Sequence, residues 1–506
     1  MPSPKETIPL NTEAILPPLV DSNHEDHILT GKRLAVVFAA MLLSILLIAL
    51  DQTILATALP RIASEFRAFS LQGWVSSSFI LAQTVFILFF GQTTRIFVAK
   101  HILLVGVSLF EIGSLVCGLT NDASQLIAGR TVSGVGAAAI YVSTIQIVTQ
   151  VTRLQDRPKL FGIFGAVFAV SSIIGPLMGG AFTDKISWRW CFYINLPIGG
   201  VSLITVTLLL EATPPLGSEA DHVKRTWTKT LSSVSEIDYV GVVLVAGAVT
   251  TLMLSLQWGS NTKEWGDKDL IICFIFAAVL ALLFIMWQVR KRDKALMPLE
   301  IFHSRSMYAL TLYCMLTRFS LLIFSYYIPV FYQADRHYSA IRSGVNLLPF
   351  SLGTVITIIL TAQITSKIGY YWPWLVVAPV FLALGSGFLF TVSRATSSGT
   401  IIGFQILVGI GIGLAMQNTL VAIQAEFNSK PALLGQATST GTFAQFLGGT
   451  IGLGVAEPVF SSRLTATLAK YSPSLPPNLP HHRSTITNCD LYWPSRRVDS
   501  RRGRCL

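Results

Sequence analysis

Charge is scarce in this chain. Of its 506 residues only 12% are Asp, Glu, Lys or Arg, against about 25% in an average soluble domain. With 52% hydrophobic residues, that scarcity excludes an ordinary soluble protein. Cysteine is sparse too. Cys117, Cys191, Cys273 and Cys314 lie in or beside apolar runs, Cys489 and Cys505 near the C-terminus, and no pair has metal-ligand or disulfide-framework spacing. Cysteine chemistry and a metal centre are therefore not the function. There is no Asn-x-Ser/Thr sequon, no histidine cluster and no Walker-type Gly-x-x-x-x-Gly-Lys loop. Without that loop an ATP-driven pump has no place to bind its nucleotide, and no cofactor is expected.

What the chain does have is apolar runs long enough to span about 30 Å of hydrocarbon. They fall at 35–57, 73–93, 102–120, 125–148, 160–183, 191–210, 240–258, 269–288, 308–332, 344–365, 372–392, 400–424 and 435–459. The first lies too far from the N-terminus, and is too long, to be a cleaved signal peptide. The net charge of +11 is explained by topology rather than by nucleic acid. With the N-terminus in the cytoplasm, inner loops hold Lys32/Arg33, Arg95/Lys100, Arg153/Arg157/Lys159, Lys224/Arg225/Lys229 and Arg290/Lys291/Arg292/Lys294. Outer loops are poorer in Lys and Arg, the bias expected of a cytoplasmic N-terminus.

The organisation that follows is all-helical and polytopic. Residues 1–33 read as a disordered cytoplasmic tail, 34–210 as a six-helix bundle and 211–238 as a charged cytoplasmic loop. Residues 239–289 read as two extra membrane helices, 290–475 as a second bundle with five visible spans, and 476–506 as an atypical basic tail. Two ordered matches relate the halves. Gly129-Arg130-x-x-x-Gly134-x-Gly136 aligns with Phe404-Gln405-x-x-x-Gly409-x-Gly411, and Gly162…Gly175-x-x-x-Gly179 with Gly435…Gly448-x-x-x-Gly452. Chance similarity between glycine-rich helices is the alternative to such a duplication, which is common in transporters.

The fifth run carries Gly165, Gly175, Pro176, Gly179 and Gly180. Glycines at this spacing strip side chains from one helix face and let a neighbour approach backbone to backbone. Proline bends the same helix. A rocking element fits this pattern, and so does a static contact. The Trp188-Arg189-Trp190 run beyond it reads as an interfacial anchor with Arg189 in water.

Ionisable residues inside the bilayer are costly unless paired or wet. Asp51 and Arg130 fall at similar depth on the first and fourth spans, and are expected to pair, for coupling or for structure alone. Glu111 on the third span is a second candidate for proton coupling, or a neutral buried carboxyl. Arg318 on the ninth span, with Gln146, Gln405, Gln417 and Asn418, is a candidate for a substrate cavity. Ordinary helix-to-helix hydrogen bonds would explain the amides equally well.

Leu50-Asp51-Gln52-Thr53-Ile54-Leu55-Ala56-Thr57-Ala58-Leu59-Pro60-Arg61-Ile62 resembles the first-span motif of 14-spanner drug:proton antiporters in the major facilitator superfamily. Gly129 to Gly136, Gly165 to Gly180, Trp188 to Gly199, Tyr327 to Gln333, Ser343 to Pro349 and Gly409 to Gly413 are similar to further motifs of that branch. The flavour is that of fungal toxin and multidrug efflux pumps. The resemblance implies the major facilitator fold and proton-coupled export of amphipathic small molecules. Asp51 and Arg130 would lie in the coupling region, and Gly175-Pro176 at the bending point. A monomer in the plasma membrane is expected, with the vacuolar membrane as the alternative site. Uptake or storage of a siderophore or basic amino acid, and a non-transporting truncated or sensor form, are the competing functions.

Two departures stand out. The loop after the second span should read Gly-x-x-x-Asp-x-x-Gly-Arg-Arg/Lys, but Arg95 stands where the acid would be, and only Gly91 and Lys100 remain. After about Pro477 the pattern stops, so the fourteenth span is missing and a truncated or frame-shifted end is expected. An authentic basic tail is the alternative.

Overall fold

The computed structural model describes residues 31–66, 72–215, 234, 236–259, 263, 265–336, 338, 340–393, 395–471, 498–499 and 504–505. The first five helices are α1 (Gly31–Glu65), α2 (Gln72–Ile96), α3 (Ala99–Leu119), α4 (Ala123–Val151) and α5 (Arg157–Lys185). A single turn, α6 (Trp190–Tyr193), runs through Ile194 into α7 (Asn195–Leu209) to make the sixth span. Then come α8 (Tyr239–Trp258), α9 (Lys268–Lys291), α10 (Arg305–Ala334), α11 (Ala340–Ile368), α12 (Trp372–Phe390), α13 (Ser398–Glu426) and α14 (Pro431–Tyr471). A two-residue antiparallel pair, β1 (Val498–Asp499) with β2 (Arg504–Cys505), is the only sheet among the described residues.

Twelve of the described helices are long and apolar enough to cross a membrane, and they coincide with the first twelve expected spans. The thirteenth expected span lies in α14, which is helical throughout but is not among the twelve. Its polar side chains Gln436, Thr438, Thr440, Thr442 and Gln445 are buried against other helices. The threonine hydroxyls donate to carbonyls four residues back, which lets a polar sequence stay dry. The expected loss of a fourteenth span concerns residues 476–506, which apart from β1 and β2 lie outside the described residues. Residues 1–30 of the expected tail lie outside them too.

Helix starts follow from local chemistry. Asp122 caps α4 by accepting from Ser124 N at 3.0 Å. Asp267 caps α9 and Ser397 caps α13 in the same way, each satisfying an amide that no earlier carbonyl can reach. Short connections make successive helices antiparallel. The start of α3 therefore lies beside the end of α7, where Lys100 Nζ donates to Thr207 O at 2.9 Å and Leu210 O at 2.6 Å.

Within the first six spans α1 packs on α5 and α7, and α4 on α2 and α3. Among the last five, α13 packs on α11 and α12, and α10 on α14. Two seams, α2 with α14 and α5 with α11, join the sets. The glycine approaches across these seams lie at the end where α2 finishes and α14 begins. A Cβ at Gly91 would sit 2.5 Å from Ser439 Oγ, one at Gly435 3.3 Å from Thr94 Oγ1, and one at Gly162 3.0 Å from Ala362 Cβ. The sets are thus closed together at that end. Helices α8 and α9 pack on each other, with α8 also against α2 and α14. On α9, Ile272, Ile275, Leu282 and Met286 point outward, the composition of a lipid-facing surface.

The Trp188-Arg189-Trp190 run differs from its expected role. Trp190 is exposed, but Trp188 is buried, and its Nε1 donates to Glu65 Oε2 at 2.7 Å. Arg189 pairs with Glu65 Oε1 at 3.1 Å, donates to Thr120 O at 2.9 Å, and stacks over the Trp188 ring. The run ties the end of α1 to the α3–α4 turn instead of floating at the headgroups. Burial pushes the Glu65 carboxyl up, but the hydrogen bonds from Trp188 and Arg189 outweigh it and hold it below its ordinary value. A depressed carboxylate contributes stability above its unfolded value and loses it as the pH falls through the folded one. Because Glu65 is well exposed, Glu65→Gln is expected to cost less than about 1 kcal/mol. Trp188→Ala, which empties a packed site, should cost about 3–5 kcal/mol. Thermal melting of the two variants in detergent checks the order.

Candidate functional site

Asp51 and Arg130 meet. Arg130 Nη1 lies 2.5 Å from Asp51 Oδ2, with side-chain exposures of 2% and 1%. Arg130 also donates through Nε to Val75 O at 3.2 Å, and its guanidinium lies 4.3 Å from the centre of the Phe79 ring. Asp51 Oδ1 is reached by Asn195 Nδ2 at 3.4 Å, and the same amide is 3.3 Å from Ser114 Oγ. One site therefore draws on α1, α2, α3, α4 and α7. Asn195, Ser114 and Phe79 were not singled out in the sequence. The available signal was a buried-type amide opening a span within an otherwise apolar motif, four residues before Gly199.

Gly199 has its own use. A side chain there would fall on Glu111 Oε1, so the glycine makes the notch that holds the Glu111 carboxyl against α7. Both Glu111 oxygens are buried without a hydrogen-bond partner among the described residues. Ser114 is one turn along α3 from Glu111, which puts this carboxyl next to the Asp51 site.

The glycine face of α5 splits in two. Gly175 and Gly179 abut α1, where a Cβ would meet Thr53 Cβ at 2.7 Å and Thr57 Oγ1 at 2.5 Å respectively. Thr53 Oγ1, two residues from Asp51, donates to Ser171 O at 2.9 Å across the seam. Gly165 instead faces α11, where a Cβ would lie 3.2 Å from Ile358 Cγ2. Gly180 has open space around it and makes no close approach. Pro176 lies inside a continuous helix, beside the Gly175 contact.

The cavity candidates do not form one group. Gln146 lines a narrow crevice with Val142, Gly435, Thr438 and Ser439 between α4 and α14. Gln417 Nε2 reaches the α5–α11 seam near Gly165. Gln405 donates to Tyr332 Oη at 3.0 Å, and Asn418 to Leu414 O at 2.8 Å, both bonds lying inside the second set, while Gln405 Oε1 is buried without a partner among the described residues. Arg318 lies over Phe446, 5.1 Å from the ring centre.

The loop lacking its acid is joined through Gln92 to a buried acid elsewhere. Asp238, buried at the start of α8, accepts from Gly241 N at 2.9 Å, Trp287 Nε1 at 2.7 Å, Gln288 Nε2 at 3.1 Å and Leu296 N at 3.4 Å. Its own amide donates to Gln92 Oε1 at 3.1 Å, and Gln92 Nε2 donates to Lys294 O at 3.0 Å. Gln436 on α14 completes the circuit by donating to Ala295 O at 3.2 Å and accepting from Arg95 Nη1 at 3.4 Å. The two extra helices thus link α2 to α14 at the closed end. Asp238→Ala would strand several buried donors at about 1–3 kcal/mol each. A stability loss on the order of 3 kcal/mol is expected in thermal melts. An unchanged melting temperature would remove Asp238 from this role.

Comparison with known proteins follows the same lines. The family model of the Major Facilitator Superfamily matches residues 41–453. An MFS-type transporter, astH, of Aspergillus oryzae is 36% identical over 458 residues, 90% of this chain and 79% of its own length. An efflux pump, aflT, of Aspergillus parasiticus is 34% identical, covering 89% of this chain and 86% of its own. The solved structure of the proton:xylose symporter XylE superposes with a TM-score of 0.58 at 12% identity, over 87% of this chain and 90% of that one. At that identity the likeness speaks for the fold alone.

Proposed function

This chain belongs to the major facilitator superfamily, and from that premise we propose that it exports amphipathic small molecules in exchange for protons. As a family member it is a multi-pass membrane transporter and not an enzyme. The single observation that carries the finer reading is the Asp51–Arg130 pair, dry on all sides and two residues from the Thr53 contact with α5. Protonating Asp51 removes one charge of the pair. Arg130 then keeps Val75 O and the Phe79 ring, so the released state is tolerable. Asn195 loses its charged acceptor at the same moment and couples the change to α7.

With the N-terminus in the cytoplasm, the closed end is the cytoplasmic one and the conformer faces outward. A proton arriving from outside would neutralise Asp51, loosen α1 against α5 at Gly175 and Gly179, and shift the equilibrium toward the inward-facing state. Glu111, adjacent and without a hydrogen bond, serves as a second proton carrier. The transporter acts as a monomer in the plasma membrane. The test is accumulation of a panel of amphipathic dyes in cells with and without the protein. Lower accumulation, abolished by a protonophore, is the expected result. Efflux that persists with the gradient collapsed would contradict proton exchange.

A further inference from the structure

Among the described residues Arg318 has no counter-ion. It stands mid-way along α10, and its Nε is buried without a hydrogen bond among the described residues. The sequences of α10, α11 and α12 contain no Asp or Glu. In α13 and α14 the acids are Glu426 at one end and Glu457. Glu457 is eleven residues past Phe446, roughly 16 Å along the helix. Asp51 is already taken by Arg130, and Glu111 sits in the notch at Gly199. A guanidinium in the bilayer interior is costly unless an anion or water meets it. No carboxylate of the described residues is placed to do so.

The surroundings are built to hold this cation. Gly449 makes room for its stem, since a Cβ there would lie 3.1 Å from Arg318 Cγ. The guanidinium then faces Phe446, and the Phe446 ring meets the Tyr141 ring edge-on at 5.9 Å. Tyr141 belongs to α4 of the first set and Phe446 to α14 of the second. The cation thus stands at an aromatic contact between the two moving bodies, where a flat, conjugated molecule finds stacking surface.

On the transport reading above, we propose that Arg318, Phe446 and Tyr141 form a cargo site for aromatic or conjugated compounds bearing an acidic oxygen, a carboxylate or an ionised phenol. The anion pairs with Arg318, and the planar body lies against Phe446 and Tyr141. Because the site joins the two sets, its occupancy depends on how far they have parted.

The test uses the full chain, purified in lipid nanodiscs, and two fluorescent probes of the same shape: anthracene-9-carboxylate and anthracene-9-carboxamide. A charge-assisted hydrogen bond should give the acid roughly a tenfold preference over the amide. Arg318→Gln should cut binding of the acid about tenfold and so erase that preference, Arg318→Lys should keep part of it, and Phe446→Leu should weaken both probes alike. A native melting temperature serves as the check that the Gln variant is folded. Failure of the wild type to bind the acid, equal binding of the two probes, or a preference that survives Arg318→Gln would overturn the site. Dye export abolished by a protonophore reads the transport proposal separately and would stand through that failure.

Discussion

Asp51→Asn is expected to bring proton-driven export down to that of cells without the protein, while substrate binding persists. Asparagine keeps the shape of the side chain and still offers Arg130 an oxygen, but it cannot take up and release a proton. Breaking a buried ion pair by deleting one partner costs about 3–5 kcal/mol. The loss here should be smaller, because Arg130 retains Val75 O and the Phe79 ring and the amide still accepts. The variant should therefore be abundant, bind dye and fail to move it against a gradient. Arg130→Gln should behave worse, since it leaves Asp51 as a buried carboxylate with only Asn195 in reach. Loss of protein from the membrane is the expected reading for that variant, measured by fluorescence of a fused tag.

Gly175→Ala should stop export with one added methyl. Its Cβ would fall on Thr53, with Thr53 Cβ at 2.7 Å, in a seam already pinned by the hydrogen bond from Thr53 to Ser171 O. Overpacking of this kind costs about 1–3 kcal/mol, here spent on parting α1 from α5 next to Asp51. Gly180→Ala is the control on the same helix. With open space around it it should melt and export like the native protein. Equal export from both variants would mean that α5 and α1 do not need their close approach during transport.

The fold was readable because hydrophobic runs of membrane length have few alternative structures. The glycine patterns aligned between the two halves make corresponding contacts. Gly134 approaches Phe79 O on α2, as Gly409 approaches Phe350 O on α11. Gly179 and Gly452 likewise face α1 and α10. The matched glycines are matched contacts. Asp51 and Arg130 could be paired from depth alone, because two opposite charges in hydrocarbon have few other partners.

Other parts were hidden for a common reason. Asn195 and Asp238 stand at helix starts, where a short polar side chain is ordinarily a cap, and Asp238 does cap α8. Their further partners, Asp51 for one and Gln92 and Trp287 for the other, come from distant segments that only packing brings near. Trp188 was misassigned because its neighbours have the composition of a headgroup anchor. Glu65, 123 residues earlier, captures it instead. The scattered glutamines could not be sorted from the sequence, since the same amide serves a crevice at Gln146 and a private bond to Tyr332 at Gln405.

Coupling is tested most directly by measuring both fluxes at once. The purified protein is reconstituted in liposomes holding a pH-sensitive dye, with an amphipathic substrate on one side and no imposed voltage. Substrate movement should drive protons the opposite way in the native protein, and Asp51→Asn should show neither coupled flux. Substrate flux with no proton counter-movement, or proton movement undiminished in Asp51→Asn, would contradict the assignment of Asp51 as the proton carrier.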